Sequence, residues 1–419
     1  MRLAILLGGI SALALGWIGA DPPVDEVLVI VGGDVHGYLS PCGCTKPMTG
    51  GIRRRATAVR NMTAGKRALV IENGGLVGNV GRQDELKAET LAEALKFMGA
   101  DVVHFTSAEA ALGRGVADAL SRLTGKKLTS ASFANDRRLP IVPFVLTEGF
   151  LVAGVSLKAG ELARDLEDRP TELMDAVDDV VSQAARKKLP LILMIEGGEA
   201  DARRVAEMAP SAKLIIYSST GDPSPTPITV GDQTLVSPGE HGKSLLRLRY
   251  RQGRFQAYSV VKLTPEFGDD AKVIEVYGRY LSRVREEKLL DKLPRAKGPK
   301  FAGNPTCGSC HTGAMLAWEK SRHAGALHTL EIEKHDRDPD CTGCHVVGLE
   351  SESGFRSRLL TPHLTDVGCE SCHGPGAEHS TNPGMFPLPK VGEASCQSCH
   401  VKDHSPEFDF ASYWKKIEH

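Results

Sequence analysis

Eight of the ten cysteines in this chain fall into four copies of one pattern, Cys-x-x-Cys-His, within the last third of its 419 residues. The copies are Cys307-Gly-Ser-Cys310-His311, Cys341-Thr-Gly-Cys344-His345, Cys369-Glu-Ser-Cys372-His373 and Cys396-Gln-Ser-Cys399-His400. Two thiols three positions apart can add to the two vinyl groups of one haem, and the adjoining imidazole then turns onto the iron. A bare Cys-x-x-Cys would also serve zinc or thiol redox chemistry, but neither needs a histidine after every pair. The pattern therefore reads as four covalently attached c-type haems. Cys307, Cys310, Cys341, Cys344, Cys369, Cys372, Cys396 and Cys399 are the attachment points, and His311, His345, His373 and His400 the proximal iron ligands. The motifs lie 34, 28 and 27 residues apart with unrelated sequence between them, so they are not a structural repeat. Haem attachment dictates the fold of such a segment, and regular elements are hard to read there.

A chain of this length exceeds one ordinary core and points to two domains. Its N-terminus reads Met1-Arg2, then Leu3 to Ala20 without a charge, then Asp21-Pro22-Pro23. That is the form of a secretory signal peptide over residues 1–20. An uncleaved anchor is the alternative, since about eighteen apolar residues just span a bilayer. Either reading puts the remainder outside the cytoplasm, in the periplasm, where bacteria attach c-type haem. The formal net charge of −1 leaves no broad basic field for nucleic acid. The partners expected are redox proteins, such as other multihaem cytochromes, with membrane contact only if the leader is retained.

Residues 26–262 alternate β-branched runs with amphipathic stretches. Strands are predicted at Glu26–Val31, Ala68–Glu72, Asp101–Phe105, Leu151–Val155, Leu191–Glu196 and Leu214–Tyr217, and helices at Asp84–Met98 and Glu172–Lys187. Strand–helix alternation predicts an α/β layered domain, closed by an antiparallel hairpin of Gln233–Tyr250 and Arg254–Val261. A charged helical run from Asp269 to Leu293 ends at Pro294, and Lys297-Gly-Pro-Lys300 and Gly303-Asn-Pro305 lead into the first haem motif. The division expected is a leader at 1–20, an α/β domain at 21–263, a helical linker at 264–302 and a mainly helical or irregular haem domain at 303–419.

Three stretches of the C-terminal third carry a family resemblance: Trp318-Glu-Lys-Ser-Arg-His323-Ala-Gly-Ala, Asp340-Cys-Thr-Gly-Cys-His-Val-Val-Gly348 and Val367-Gly-Cys-Glu-Ser-Cys-His-Gly-Pro-Gly376 with His379 after it. They resemble the tetrahaem cytochrome c family of ammonia-oxidising bacteria, the soluble electron acceptor of hydroxylamine oxidoreductase. The resemblance assigns His379 as second ligand to the first haem and His323 to the third, and leaves the second haem, on His345, with an open iron. His328 and His335 lie just upstream of that motif and are candidates to close it. For the fourth haem the family draws its ligand from near the C-terminus, which points to His419 or, less well, to His404; His363 is a further histidine of the region.

The N-terminal two-thirds carries a second resemblance, on Gly33-Asp34-Val-His36-Gly37, Gly50-Gly51-Ile-Arg53-Arg54, the Gln83–Met98 helix with Gly99-Ala-Asp101, and Ser237-Pro-Gly-Glu-His-Gly242-Lys. These resemble the N-terminal domain of periplasmic nucleotidases, which are calcineurin-like metallophosphoesterases. That chemistry holds two metals on His, Asp and Asn from several loops and activates a water between them. Asp34 and His36 stand where the first ligands belong. The other ligand loops instead read Glu72-Asn73-Gly74-Gly75, Thr106-Ser107-Ala108-Glu109, Glu196-Gly197 and Ser218-Ser-Thr-Gly221-Asp222. The resemblance therefore implies a metallophosphoesterase-like fold whose phosphoesterase activity is lost. Cys42 and Cys44 have three readings: one soft metal ion held with Asp34 and His36, a strained redox-active disulfide, or no chemistry. The expected function is electron transfer with no catalytic residue in the α/β domain; the alternative is an oxidoreductase acting on a small nitrogen or sulfur compound at an open haem iron.

Overall fold

The computed structural model describes residues 26–41, 48–126, 128–157, 169–401 and 404–419. The leader expected at residues 1–20 and the Cys42–Cys44 pair lie outside the described residues.

Two sheets dominate the N-terminal part. The first has five strands, in the order Arg254–Lys262, Ser244–Arg251, Val27–Gly32, Ala68–Glu72, Val102–Val103. The second has six, in the order Ile228–Val230, Gln233–Val236, Ala212–Ile216, Leu191–Glu196, Phe150–Ser156, Phe144–Thr147. Strand side chains alternate faces with a period of two, and in the central strands both faces are apolar. Val27, Val29 and Val31 share a cluster with Ile192, Met194, Leu214 and Ile216 of the other sheet. Leu28 and Ile30 turn the other way, onto helix α1 (Ile52–Thr63) and helix α2 (Arg82–Met98). Leu191, Leu193 and Ile195 likewise face the helices Leu173–Lys187 and Glu199–Met208. The layers are thus helix, sheet, sheet, helix, and each buried Val, Ile or Leu contributes about 1.5–3 kcal/mol. Fully buried strands read as continuous apolar runs, which is why the sequence marks them so clearly.

The expected hairpin is corrected in one respect. Gln233–Val236 pairs in parallel with Ala212–Ile216 in the second sheet, and only Ser244–Arg251 forms the hairpin with Arg254–Lys262 in the first. Ser237–Lys243 carries the chain from one sheet to the other, with Gly239 and Gly242 at φ 74° and 59°, a left-handed backbone that glycine adopts without strain. The predicted helical run is the helix Ala271–Glu286, followed by a short turn of helix at Leu289–Lys292. Its N-cap Asp270 accepts a hydrogen bond from Val273 N, the expected cap geometry. On this helix Val273, Tyr277, Tyr280 and Val284 are buried in the α1–α2 core.

Residues 303–419 fold differently. Among the described residues no helix there exceeds the eight residues of Thr312–Glu319. One small apolar cluster, Leu327, Leu330, Val346, Val347, Leu349, Phe355 and Leu364, closes against Leu290 of the connecting segment. Beyond Leu364 no apolar side chain is buried among the described residues. No helix of the described residues is long and apolar enough to cross a membrane.

One contact tests the sheet packing. A Cβ on Gly154 would stand 2.2 Å from His104 Cδ2, so the glycine makes room for a histidine that is wholly buried. Gly154→Ala should lower stability by about 1–3 kcal/mol, and combining it with His104→Ser should restore part of that loss. Equal melting of Gly154→Ala and wild type would contradict the packing.

Candidate functional site

Loops at the carboxyl ends of the first-sheet and second-sheet strands meet at one edge of the α/β domain, where this architecture places ligands. The backbone there is tightly laced. Asp34 N donates to Gly74 O at 2.9 Å, His36 N to Gly75 O at 2.7 Å, and His241 N to Asp34 O at 2.8 Å. Asp34, His36 and His241 all have positive φ, at 49°, 50° and 61°, a conformation costly for residues other than glycine. Asp34 Oδ1 accepts from Ser218 Oγ at 2.7 Å. Burial pushes the Asp34 carboxyl up to about 8, against the Ser218 hydrogen bond that lowers it.

Three other carboxylates at this edge already have partners. Glu72, at the end of its strand, is buried and paired with the guanidinium of Arg55 from α1. Glu109 accepts from Leu76 N at 2.6 Å and Thr106 N at 2.9 Å. Glu196 accepts from Ser107 N at 2.9 Å and from the hydroxyls of Ser107 and Ser156. The buried amide of Asn73 sits against the Asp34 carboxyl and helps to lower its pKa, but one carboxylate and one amide do not make a two-metal centre. Among the described residues no group of three or more His, Cys, Asp or Glu could hold a metal ion. The residues present do not fit the metals the fold implies, and the cation that Glu72 faces is Arg55. Sequence reading missed Arg55 and the fully buried His104, whose ring burial pushes down to about 4.

The haem motifs have the opposite character. Their thiols and imidazoles converge from distant segments. Cys369 N donates to Asn304 Oδ1 at 2.9 Å, and buried Glu370 accepts from Ala302 N and Gly303 N at 2.8 Å and from Gly376 N at 2.6 Å. These bonds fasten the first motif to the third, and bring Cys307 against Cys369. Cys399 of the fourth motif lies against Cys344 of the second, and Cys372 neighbours Cys396 and Cys399. In space the motifs therefore run first, third, fourth, second.

Three histidines of Cys-x-x-Cys-His motifs face a second histidine ring. Ring centroids are 6.3 Å apart for His311 and His379, 6.0 Å for His373 and His419, and 6.4 Å for His400 and His323. Two metal–imidazole bonds of about 2 Å each, with the ring radii added, put the two centroids about 6 Å apart, so an iron fits between each pair. Several rings are also turned the right way. Nδ1 of His379 faces Phe386 O at 2.9 Å, that of His419 Ile417 O at 2.9 Å, that of His345 Ala326 O at 2.6 Å and that of His400 Ser405 Oγ at 3.1 Å. A proton held on Nδ1 leaves Nε2 free for a metal. Burial lowers the pKa of His323, His373 and His400, favouring the neutral ring a metal requires. The missing apolar core beyond Leu364 is a further fit, since haems would supply the buried surface the chain lacks.

The pairing expected for two histidines is corrected. His323 faces His400 of the fourth motif, not His373, and His419 faces His373 of the third, not His400. The reason is the path of the last residues. Phe408 and Tyr413 pack on His400, so the short helix Phe410–Trp414 passes that motif and delivers His419 beyond it. His404 is directed elsewhere, with its ring 6.5 Å from Tyr38 of the α/β domain. No histidine ring faces His345 among the described residues. His335 is held by Tyr277 Oη at 3.3 Å, and exposed His328 pairs with Glu331.

The chain thus joins an α/β metallophosphoesterase-like fold to a c-type cytochrome region. Residues 306–374 match the family described as cytochrome c554 and c-prime. A curated relative, cytochrome c-554 of Nitrosomonas europaea, is 36% identical over 135 residues, covering 24% of this chain and 57% of the relative. The polyhaem c-type cytochrome OmcB of Geobacter sulfurreducens is 35% identical over 68 residues, covering 15% of this chain and 9% of that protein. The α/β part is similar to a 5'-nucleotidase precursor of Thermus thermophilus, with a TM-score of 0.54 and 17% identity over 74% of this chain and 68% of that one. At that identity the likeness is one of fold.

The Asp34 pKa gives a prediction with a definite sign. The native carboxyl holds its proton to about pH 8, whereas an unfolded aspartate releases it near pH 4. Between those values the native state binds more protons, so this group's contribution to stability falls as pH rises and is flat above pH 8. Asp34→Asn, neutral throughout, should therefore gain thermal stability over wild type as pH rises from about 4 to 8. A pH-independent difference in melting temperature would refute the assignment.

Proposed function

We propose that this chain is an exported tetrahaem electron-transfer protein whose α/β domain has kept a metallophosphoesterase fold without its metals. The observation that carries the reading is the three imidazole pairs at 6.0–6.4 Å, each joining one Cys-x-x-Cys-His histidine to a histidine remote in sequence. Bound haem supplies one-electron chemistry at iron. The chain's own part is positional. Cys307, Cys310, Cys341, Cys344, Cys369, Cys372, Cys396 and Cys399 anchor the groups. His311 with His379, His373 with His419 and His400 with His323 close both sides of three sites, and that favours electron transfer without ligand exchange. The close approach of Cys307 to Cys369 and of Cys399 to Cys344 supports short distances between neighbouring sites. Periplasmic placement rests on the leader at residues 1–20 and on the covalent haem that the relatives imply.

His345 favours a second reading. With no ring opposite it among the described residues, an iron on His345 would keep one position for a small nitrogen or sulfur compound, so reduction or oxidation of such a compound is the alternative to pure electron relay. Turnover of hydroxylamine, nitrite or sulfite by the holoprotein would favour it.

The mature protein should exceed its peptide mass by four haems that acid-acetone does not extract. Two or fewer in a fully matured preparation would overturn the proposal. His419→Ala should convert one low-spin haem to high-spin and make it bind carbon monoxide, while His404→Ala should leave the haem spectrum unchanged. The reverse pattern would reassign the ligand.

A further inference from the structure

Three of the haem motifs gain a second attachment through the opposing histidine, which comes from elsewhere in the chain. The second motif has no such histidine among the described residues, yet its attachment helix is the one to which the α/β side sends a set of buried side chains. Asp338 caps the helix Pro339–Thr342 that bears Cys341, its Oδ1 accepting from Asp340 N at 3.1 Å. The same oxygen accepts from Gln83 Nε2 of α2 at 2.7 Å, and Oδ2 accepts from Tyr280 Oη of the connecting helix at 2.9 Å. Gln83 and Tyr280 are themselves joined at 3.0 Å. Asp338 is 5% exposed and Tyr280 2%, so these bonds are shielded from water and costly to break. One helical turn away, Tyr277 Oη contacts His335 Nε2 at 3.3 Å, and His335 Nδ1 lies 4.0 Å from Cys341 Sγ. Lys87 of α2 pairs with Asp340, the residue before Cys341.

We propose that the α/β domain holds the second haem in place of the missing distal histidine, with Gln83, Tyr277 and Tyr280 as positioning residues. This rests on the four-haem reading above. The α/β fold would then act through side chains of its own: it would fix the second site, whose histidine has no facing ring among the described residues, through the helix that bears Cys341. Groups that orient a metal site from outside its ligand set tune its affinity and potential.

The test uses full-length holoprotein carrying Tyr277→Phe and Tyr280→Phe together, which keeps both rings and removes both hydroxyls. Haem mass is measured first. With four haems in parent and variant, potentiometric titration should show one of the four midpoints displaced. Carbon monoxide association should change about tenfold, at that haem alone. Four unchanged midpoints with an unchanged carbon monoxide rate would overturn the inference, and so would a displacement shared by all four haems, which marks general loosening. A parent with fewer than four haems sinks the four-haem reading and this inference with it. Should the double variant not accumulate, Tyr280→Phe alone and Lys87→Met are read by the same two measurements, with the same outcomes deciding.

Discussion

The absence of an apolar core in the last fifty-odd residues is the constraint on which the rest of the structure depends. From Asp366 onward every buried described side chain is polar: Asp366, Glu370 and Ser405. A chain that buries so little apolar surface cannot offset its conformational entropy unaided. Something else must supply the buried surface, and the eight thiols and the three facing imidazole pairs define what it is. Haem in this segment is therefore part of the fold as well as the working group. The same logic explains why short helices suffice. Each needs only to carry a motif or a ligand to a flat, rigid partner, and the long amphipathic faces of helix-on-helix packing are not required.

The α/β domain is the reverse case. Its central strands are buried on both faces, between the facing sheet and the flanking helices, so the core is built from its own side chains. What has changed is the chemistry at the loop ends. A metallophosphoesterase site concentrates carboxylates and imidazoles around two cations. Here Arg55 brings a permanent positive charge to Glu72, while Glu109 and Glu196 commit their oxygens to backbone amides and hydroxyls. Asp34, left beside Ser218 and buried, is held largely protonated at neutral pH. With these oxygens already partnered, the described loop ends offer few donors to a cation, and the neighbouring helices α2 and Ala271–Glu286 contact the haem region instead.

Much of this was legible in the residues. The apolar runs Ala68–Glu72 and Leu191–Glu196 are strands with those bounds because buried parallel strands have no polar face to blur them. The Cys-x-x-Cys-His motifs were unmistakable because covalent attachment fixes their spacing. Distal histidines were harder. Which imidazole meets which iron depends on the route of the chain in three dimensions, and His323 and His419 exchanged their expected partners once Phe408 and Tyr413 packed on His400. Gln233–Val236 joined the other sheet because a single turn at Ser237–Lys243 redirected it, and no periodicity signals a change of sheet. Arg55 and Tyr280 were invisible for the same reason: their roles arise from contacts across 17 and 58 positions.

The central claim is that three sites have histidine on both sides and one, on His345, does not. Electron paramagnetic resonance of the oxidised holoprotein, with spins integrated against haem content, counts this directly. The account predicts three low-spin ferric haems and one high-spin haem per chain, the latter alone binding carbon monoxide after reduction. Four low-spin haems, or a high-spin signal that persists unchanged when His345 is replaced, would contradict it.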